Sequence, residues 1–255
     1  MTTLIYDGSF EGFLSAVFSV YELRLQEVRI IRTGQTPPDM FSDQVSVATN
    51  TWHAERVWKG LTKKLKPAGA AKIFRVYLSE LDDMEHWMLG YIQHAFASKQ
   101  NISADFGNPF VLKVDQLDKM IGRERHRMEA FVRFQLIEGD VYYASVEPDF
   151  NVLPLLISHF KKRYADQQWI IYDIRRGYGI HYNLQKVDFM NLNFLEKYRF
   201  GNQVAGAWKE GEEFYQVLWR DYFKSVNIET RKNTRLHVRH VPKRYWKYLT
   251  EKQPG

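Results

Sequence analysis

The sequence predicts an α+β protein with a largely antiparallel sheet and a ββαββ unit in the middle of the chain. Apolar and polar residues alternate in two neighbouring stretches, 131–137 and 141–146, as they do in a hairpin. A second pair of such stretches lies at 168–174 and 180–182. Between the two pairs, residues 151–164 have apolar residues at helical spacing. A sheet of hairpins with helices packed around it defines the α+β class.

The turns that join these strands carry their own signals. Glu138-Gly139-Asp140 separates the first pair, and the basic glycine turn at 175–179 separates the second. Pro154 lies in the first turn of the predicted helix, where proline is tolerated because no intrahelical hydrogen bond is lost there. Asp149, just before that helix, is the predicted cap.

The elements before this unit alternate between strand and helix. The opening stretch LIYDGS at 4–9 predicts a short strand that leads into a helix. The apolar residues of this helix run from Phe10 to Tyr21, with Asp7 or Ser9 as its cap. Further short strands are expected at 28–31 and 45–48.

Three helices are expected next, beginning near Asn50, at Lys66-Pro67 and after Asp82 or Asp83. Another helix is expected at 114–127, and a last one at about 209–222.

We expect a single family domain over 1–255 with three internal lobes. The polar loop at 100–110 is rich in Asn, Gly and Pro and suggests the first boundary. The lobes are then 1–110, 111–186 and 187–255, of which the second is the ββαββ unit and the third is helical with a basic end.

Composition excludes several classes of protein. With 255 residues, 45% hydrophobic and 26% charged, the chain can bury a core and is not a disordered or repetitive sequence. It has no cysteine, which excludes disulfides, a thiolate nucleophile and an iron–sulfur cluster held by its own thiolates. No export signal or membrane-spanning run is visible, so we expect a cytoplasmic protein without membrane contact.

Positive charge is concentrated near the carboxyl end. The chain has a net charge of +6, while residues 224–252 hold nine basic residues against Glu229 and Glu251, a local excess of +7. Such a concentration is typical of a surface that binds a polyanion, and nucleic acid is the expected partner.

Three groups of residues are therefore predicted to bind nucleic acid, because guanidinium and ammonium groups neutralise phosphates. They are a helix end with the residue that follows it, a hairpin turn and the basic tail: Arg123, Arg125, His126, Arg127 and Arg133; Arg175 and Arg176; Arg231, Lys232, Arg235, Lys243 and Arg244. The tail has few acidic neighbours in sequence, so we expect it to contribute more to binding than to folding. The alternative for the helix end is a solvated surface.

A second set of residues could carry catalysis. Histidine side chains exchange protons near neutral pH, so His126 is a candidate acid or base. Glu147, Asp149 and Asp173 could gather near strand ends and bind a divalent metal that activates a water molecule. The alternatives are a buried structural histidine and an Asp173 that pairs with the neighbouring arginines. No phosphate-binding loop, dinucleotide motif or metal-ligand spacing is present in the sequence, so no cofactor and no metal are expected.

Long segments resemble a known bacterial family. They are HRMEAFVRF at 126–134, the stretch from Glu147 to Asp173 and RRGYGIHYN at 175–183, with 6–22 and 233–246 at the two ends. The family is a group of DNA metabolism and repair proteins built on a domain of unknown function. In some members, this domain stands ahead of a uracil-DNA-glycosylase-like domain.

The resemblance implies DNA as the nucleic acid and a separate radical-SAM DNA repair protein as a partner. Because the chain lacks cysteine, it is not itself the cluster-bearing radical-SAM protein. It also has Phe150 where many members carry His, so the imidazole of those members is missing here.

Three hypotheses follow. The first is a DNA-binding accessory protein in repair or metabolism, which a continuous basic groove would favour. The second is a DNA-processing enzyme, which His and carboxylates in one concave pocket would favour. The third is a protein-interaction module with a basic tail, which an apolar surface patch would favour.

Overall fold

The computed structural model describes residues 1–35, 43–137, 140–191, 238 and 240–252. The chain forms two compact units, which we call unit 1 (Met1–Ile121) and unit 2 (Gly122–Gly255). Both helices and strands are present, and the predicted α+β class is confirmed. The division into three lobes stays a prediction.

Unit 1 contains a parallel sheet of three strands. These are β1 (Thr2–Tyr6), β2 (Val28–Arg32) and β3 (Asp43–Ser46), in the order β2-β1-β3. Leu4 and Tyr6 of the central strand are buried. Single strands do not reveal the direction of their partners, so the sequence did not indicate that this sheet is parallel.

Helices surround the core of unit 1. They are α1 (Phe10–Glu22), α2 (Thr51–Tyr77), α3 (Met84–Ala97) and α4 (Pro109–Phe131), and α4 continues into unit 2. Of the two predicted caps of α1, Asp7 and Ser9, it is Ser9 that caps the helix, because its hydroxyl accepts a hydrogen bond from the Gly12 N–H.

The predicted break at Lys66-Pro67 is confirmed inside α2. Lys66 has φ 60° and ψ 165°, so the helix is interrupted there and restarts at Pro67. Proline suits the first turn of the second segment because its fixed φ is helical and its missing N–H would have no partner.

Unit 2 contains a five-stranded sheet with the predicted ββαββ unit. The strands are β4 (Gln135–Ile137), β5 (Val141–Val146), β6 (Trp169–Asp173), β7 (Tyr178–Tyr182) and β8 (Val187–Asn191), in that order across the sheet. Helix α5 (Leu153–Arg163) joins β5 to β6, which pair in parallel, while the other pairs are antiparallel. Both predicted hairpins therefore belong to one sheet.

Three details differ from the predictions. Helix α4 continues to Phe131, so β4 is only three residues long and 131–134 are not a strand. Strand β8 was missed because the stretch after Asn183 alternates weakly. Val152, rather than Asp149, lies at the cap position of α5, and no side chain caps that end.

Two short 3-10 helices, Lys243–Tyr248 and Thr250–Lys252, lie in the carboxyl-terminal part. The helix predicted at 209–222 and the first part of the turn at 138–140 fall outside the described residues. Among the described helices, none has both the length and the apolar character required to cross a bilayer.

Candidate nucleic-acid interface

The parallel pairing of β5 and β6 brings two loops to the same edge of the sheet in unit 2. Val146 at the end of β5 lies opposite Asp173 at the end of β6. The loop after β5 carries Glu147 and Asp149, and the turn after β6 carries Arg175. Carboxyl ends of neighbouring parallel strands are a common location for ligand sites, because the loops that follow them diverge there.

A buried ion pair fastens the two loops together. Asp173 is fully buried, and its Oδ2 accepts a hydrogen bond of 2.8 Å from Arg176 Nη1. The same guanidinium donates to the carbonyl groups of Pro148 (3.0 Å) and Asp149 (3.2 Å). Burial raises the pKa of Asp173, and the hydrogen bond and charge of Arg176 partly offset that rise. The Arg176 guanidinium is thus already bound to Asp173 and to two backbone carbonyl groups.

An open cavity of about 470 Å³ lies at this edge, and we call it the carboxyl-edge cavity. Its lining consists of charged side chains from three segments: Glu147, Asp149, Arg175, Lys243, Arg244 and Lys247. Four cations face two carboxylates, so the lining is net positive at neutral pH.

Glu147 is held by the 3-10 helix Lys243–Tyr248. Its Oε2 accepts hydrogen bonds from Lys247 Nζ and from the Tyr248 hydroxyl (2.6 Å). The hydrogen bonds from Lys247 and Tyr248 lower the pKa of Glu147. Burial and the same carboxylate raise the pKa of Tyr248, so its hydroxyl remains a donor.

Arg244 connects the tail to two acidic residues. Its Nη2 lies 2.5 Å from an Asp149 carboxylate oxygen and 3.5 Å from Glu124. Glu124 is almost fully buried, accepts a hydrogen bond from the Asp149 N–H at 2.8 Å and also accepts the hydroxyl of Tyr245. Arg127 lies 3.3 Å from the same carboxylate.

These contacts correct the expectation that the tail lacks acidic partners. Arg244 pairs with Glu124 and Asp149, and Lys247 pairs with Glu147, all more than 90 positions away in sequence. Part of the tail is therefore structural.

The other predicted binding residues have different surroundings. Arg133 lies in the segment between α4 and β4, rather than on a strand, and pairs with Glu251 at 2.8 Å. Arg125 lies 3.4 Å from Glu129. Arg123 is exposed and forms no ion pair with the described part of the chain. The predicted sites Arg231, Lys232 and Arg235 lie outside the described residues.

The predicted catalytic group is only partly brought together. Glu147 and Asp149 share the carboxyl-edge cavity, whereas the Asp173 carboxylate is occupied by Arg176. His126 is 83% exposed, with its Nδ1 3.7 Å from Glu129, so the interpretation of it as a buried structural histidine is wrong. The described residues contain no cluster of three or more potential metal ligands.

Several residues of this site were not predicted. Glu124 and Lys247 complete the charge network, and Tyr245 is buried against Phe131 with a ring-centroid distance of 5.6 Å. Glu124 stands among arginines in the sequence, where it looks like an ordinary surface residue.

Comparison with known proteins identifies a family. A family model described as a domain of unknown function, DUF4130, matches residues 82–251. No curated protein matches the sequence. Among solved structures, the pGpG-specific phosphodiesterase PggH of Vibrio cholerae is similar over 89% of this chain and 99% of that chain, at 11% identity and a TM-score of 0.35. A score at this level does not establish a common fold.

Proposed function

The chain belongs to the DUF4130 family of domains of unknown function, and from this premise we propose that unit 2 binds nucleic acid through its phosphate groups. The carboxyl-edge cavity is the proposed contact. The single observation that carries the proposal is the convergence of four cations from two distant segments on one open, net positive cavity.

The four cations divide into two roles. Arg244 and Lys247 are committed to carboxylates and hold the loops. Arg175 and Lys243 are exposed and have weaker contacts, namely a backbone carbonyl at 3.4 Å and the Trp246 ring at 6.0 Å. These two side chains can reach a phosphate without breaking an ion pair.

The resemblance to DNA metabolism and repair proteins supports DNA as the nucleic acid. On the same ground, we propose an accessory role in repair or metabolism beside a separate radical-SAM protein. An enzymatic role has less support, because His126 contacts Glu129 rather than the carboxylates of the cavity.

Binding of fluorescein-labelled DNA, followed by anisotropy at several salt concentrations, tests the proposal. If about four to six phosphates are neutralised, the logarithm of the affinity falls against the logarithm of salt concentration with a slope of roughly −4 to −5. The double variant Arg175→Gln/Lys243→Gln should weaken binding to all sequences alike and reduce that slope by about 2.

The matched control is Lys63→Gln/Lys99→Gln, which removes the same charge from exposed positions of unit 1. It should bind as the parent does. Equal loss in both double variants, or no binding of the parent at low salt, would overturn the proposal.

A further inference from the structure

Unit 2 has a second cavity, of about 600 Å³, which we call the aromatic cavity. Five of its lining residues are phenylalanine, tyrosine or tryptophan: Phe134, Tyr142, Phe160, Tyr164 and Trp169. Tyr142 and Trp169 are register partners at the first residues of their parallel pairing. Asp173 lies at the other end of the same pairing, so this cavity is separate from the carboxyl-edge cavity.

Most of these rings support one another. Phe134 meets Tyr164 edge-on with centroids 5.3 Å apart, and Phe160 is stacked on Tyr164 at 6.1 Å. Trp169 lies 6.0 Å from Phe160 and is fully buried. Phe134, Phe160, Tyr164 and Trp169 therefore pack together and form one wall of the cavity.

Tyr142 differs from the rest of the wall. Like Phe134 and Tyr164 it is only partly buried, but unlike them it has no ring partner among the described residues. Tyr142 is thus a partly exposed ring in the cavity lining that no other ring covers, and offset stacking is the favoured geometry for a planar ligand on such a ring.

The polar groups of the cavity suit such a ligand. Trp169 is fully buried, including its indole Nε1, and supports the other rings from behind the cavity surface. Arg163 is exposed beside the rings, 5.7 Å from the centroid of Tyr164, and its guanidinium can meet a phosphate. Gln167 adds an amide to the lining.

We propose that the aromatic cavity binds a single nucleobase of the bound strand, a step that rests on the proposed function. A nucleobase combines a flat face that can stack on Tyr142 with ring nitrogens and carbonyls that can accept a hydrogen bond from the Gln167 amide. The volume lies within the range of small-ligand pockets. An aliphatic ligand has no flat face to stack on the Tyr142 ring.

The test compares two oligonucleotides that have equal charge. One is a single-stranded ten-residue oligothymidylate, and the other has the same backbone with every base replaced by an abasic tetrahydrofuran. Stacking of one base should make the oligothymidylate bind about 5- to 100-fold more tightly at the same salt concentration.

Two variants address the cavity directly. Tyr142→Leu removes the open ring, and Ala130→Trp fills the cavity from an exposed helix position without altering the buried wall. Both should abolish the difference between the two oligonucleotides while leaving the abasic affinity unchanged. Phe106→Leu, which removes an exposed ring from unit 1, is the control and should retain the difference. If Tyr142→Leu fails to fold, Ala130→Trp decides the test.

The outcomes separate this inference from the proposed function. Equal binding of the two oligonucleotides overturns the nucleobase site and leaves phosphate binding intact. If neither oligonucleotide binds, the proposed function fails, and titration with thymidine 5′-monophosphate decides the remaining question. Saturable binding that Ala130→Trp abolishes supports a base site for free nucleotides, and absence of binding overturns it.

Discussion

Glu147 illustrates how one side chain joins the loop after β5 to the end of the chain. Its carboxylate accepts hydrogen bonds from Lys247 and Tyr248, and the hydrogen bond of Lys247 is the largest cause of its lowered pKa. Because the folded state holds the ionised form more strongly than the unfolded state does, the contact stabilises the protein only while Glu147 is charged.

The sign of this effect fixes its pH dependence. The stabilisation is fully present above the ordinary pKa of about 4.5 and is lost as the pH falls through the lower pKa of the folded state. We expect Glu147→Gln to lower the free energy of unfolding at pH 7. Both partners are more than one-third exposed, so the loss should be modest.

Urea unfolding of the parent and Glu147→Gln between pH 7 and pH 3 is the measurement. The two free energies of unfolding should converge below about pH 4.5, because protonation removes in the parent what the substitution removes in the variant. A constant difference across this range would show that the charge of Glu147 is not responsible.

At the same scale, the sequence predicts pairs that are close in the chain and misses pairs that are distant. Asp173 and Arg176 are three positions apart, and their pairing was anticipated as an alternative to a metal site. Arg244 and Glu124 are 120 positions apart, and only the tertiary fold brings them together. Hence the tail looked unpaired in the sequence although Arg244 is paired.

At the scale of the helix, two glycines provide a matched test of how tightly α3 and α4 are packed. Gly122 lies within α4, and a Cβ added there would meet nothing within 4 Å. Gly90 lies within α3, and a Cβ added there would collide with the ring of Phe110. Helix propensity favours alanine at both positions, so only the surroundings differ.

We expect opposite effects on stability. Gly122→Ala should raise the free energy of unfolding by about 1 kcal/mol, because alanine restricts the unfolded chain and suits a helix. Gly90→Ala should lower it by about 1–3 kcal/mol, because the Phe110 ring must shift. Chemical denaturation of the two variants checks this, and changes of the same sign would contradict the packing described for α3.

The elements were predictable where local signals are strong. The break at Lys66-Pro67 and the ββαββ order follow from the sequence, which narrows the cap of α1 to Asp7 or Ser9. The full length of α4 and the presence of β8 could not be predicted, because the continuation of a helix and the pairing of an edge strand depend on tertiary contacts. The parallel β2-β1-β3 pairing likewise depends on contacts between segments distant in sequence.

For the whole molecule, charge is divided unequally between the units. Unit 2 contains 23 basic and 16 acidic residues, a net charge of +7, whereas unit 1 contains 13 basic and 14 acidic residues. Both proposed sites lie in unit 2. Its electrostatic field should therefore raise the rate at which a polyanion arrives, independently of direct contacts.

Charge reversal at two exposed lysines tests this field. Lys162→Glu in unit 2 should slow DNA association about threefold or more at low salt, whereas Lys63→Glu in unit 1 should have a smaller effect. Stopped-flow measurements should show the difference shrinking toward 0.15 M salt, where the Debye length is about 8 Å. Equal slowing by both reversals would mean that only total charge matters.

The parallel pairing of β5 and β6 also has a consequence for how unit 2 folds. Hairpins can close by local zippering, but these two strands meet only after the chain has travelled through α5 and returned. Closing that longer connection has an entropic cost before any pairing compensates for it, which slows folding. We therefore expect β6–β7 to form early, and the β5–β6 junction with its charged loops to be among the last parts of the sheet to order.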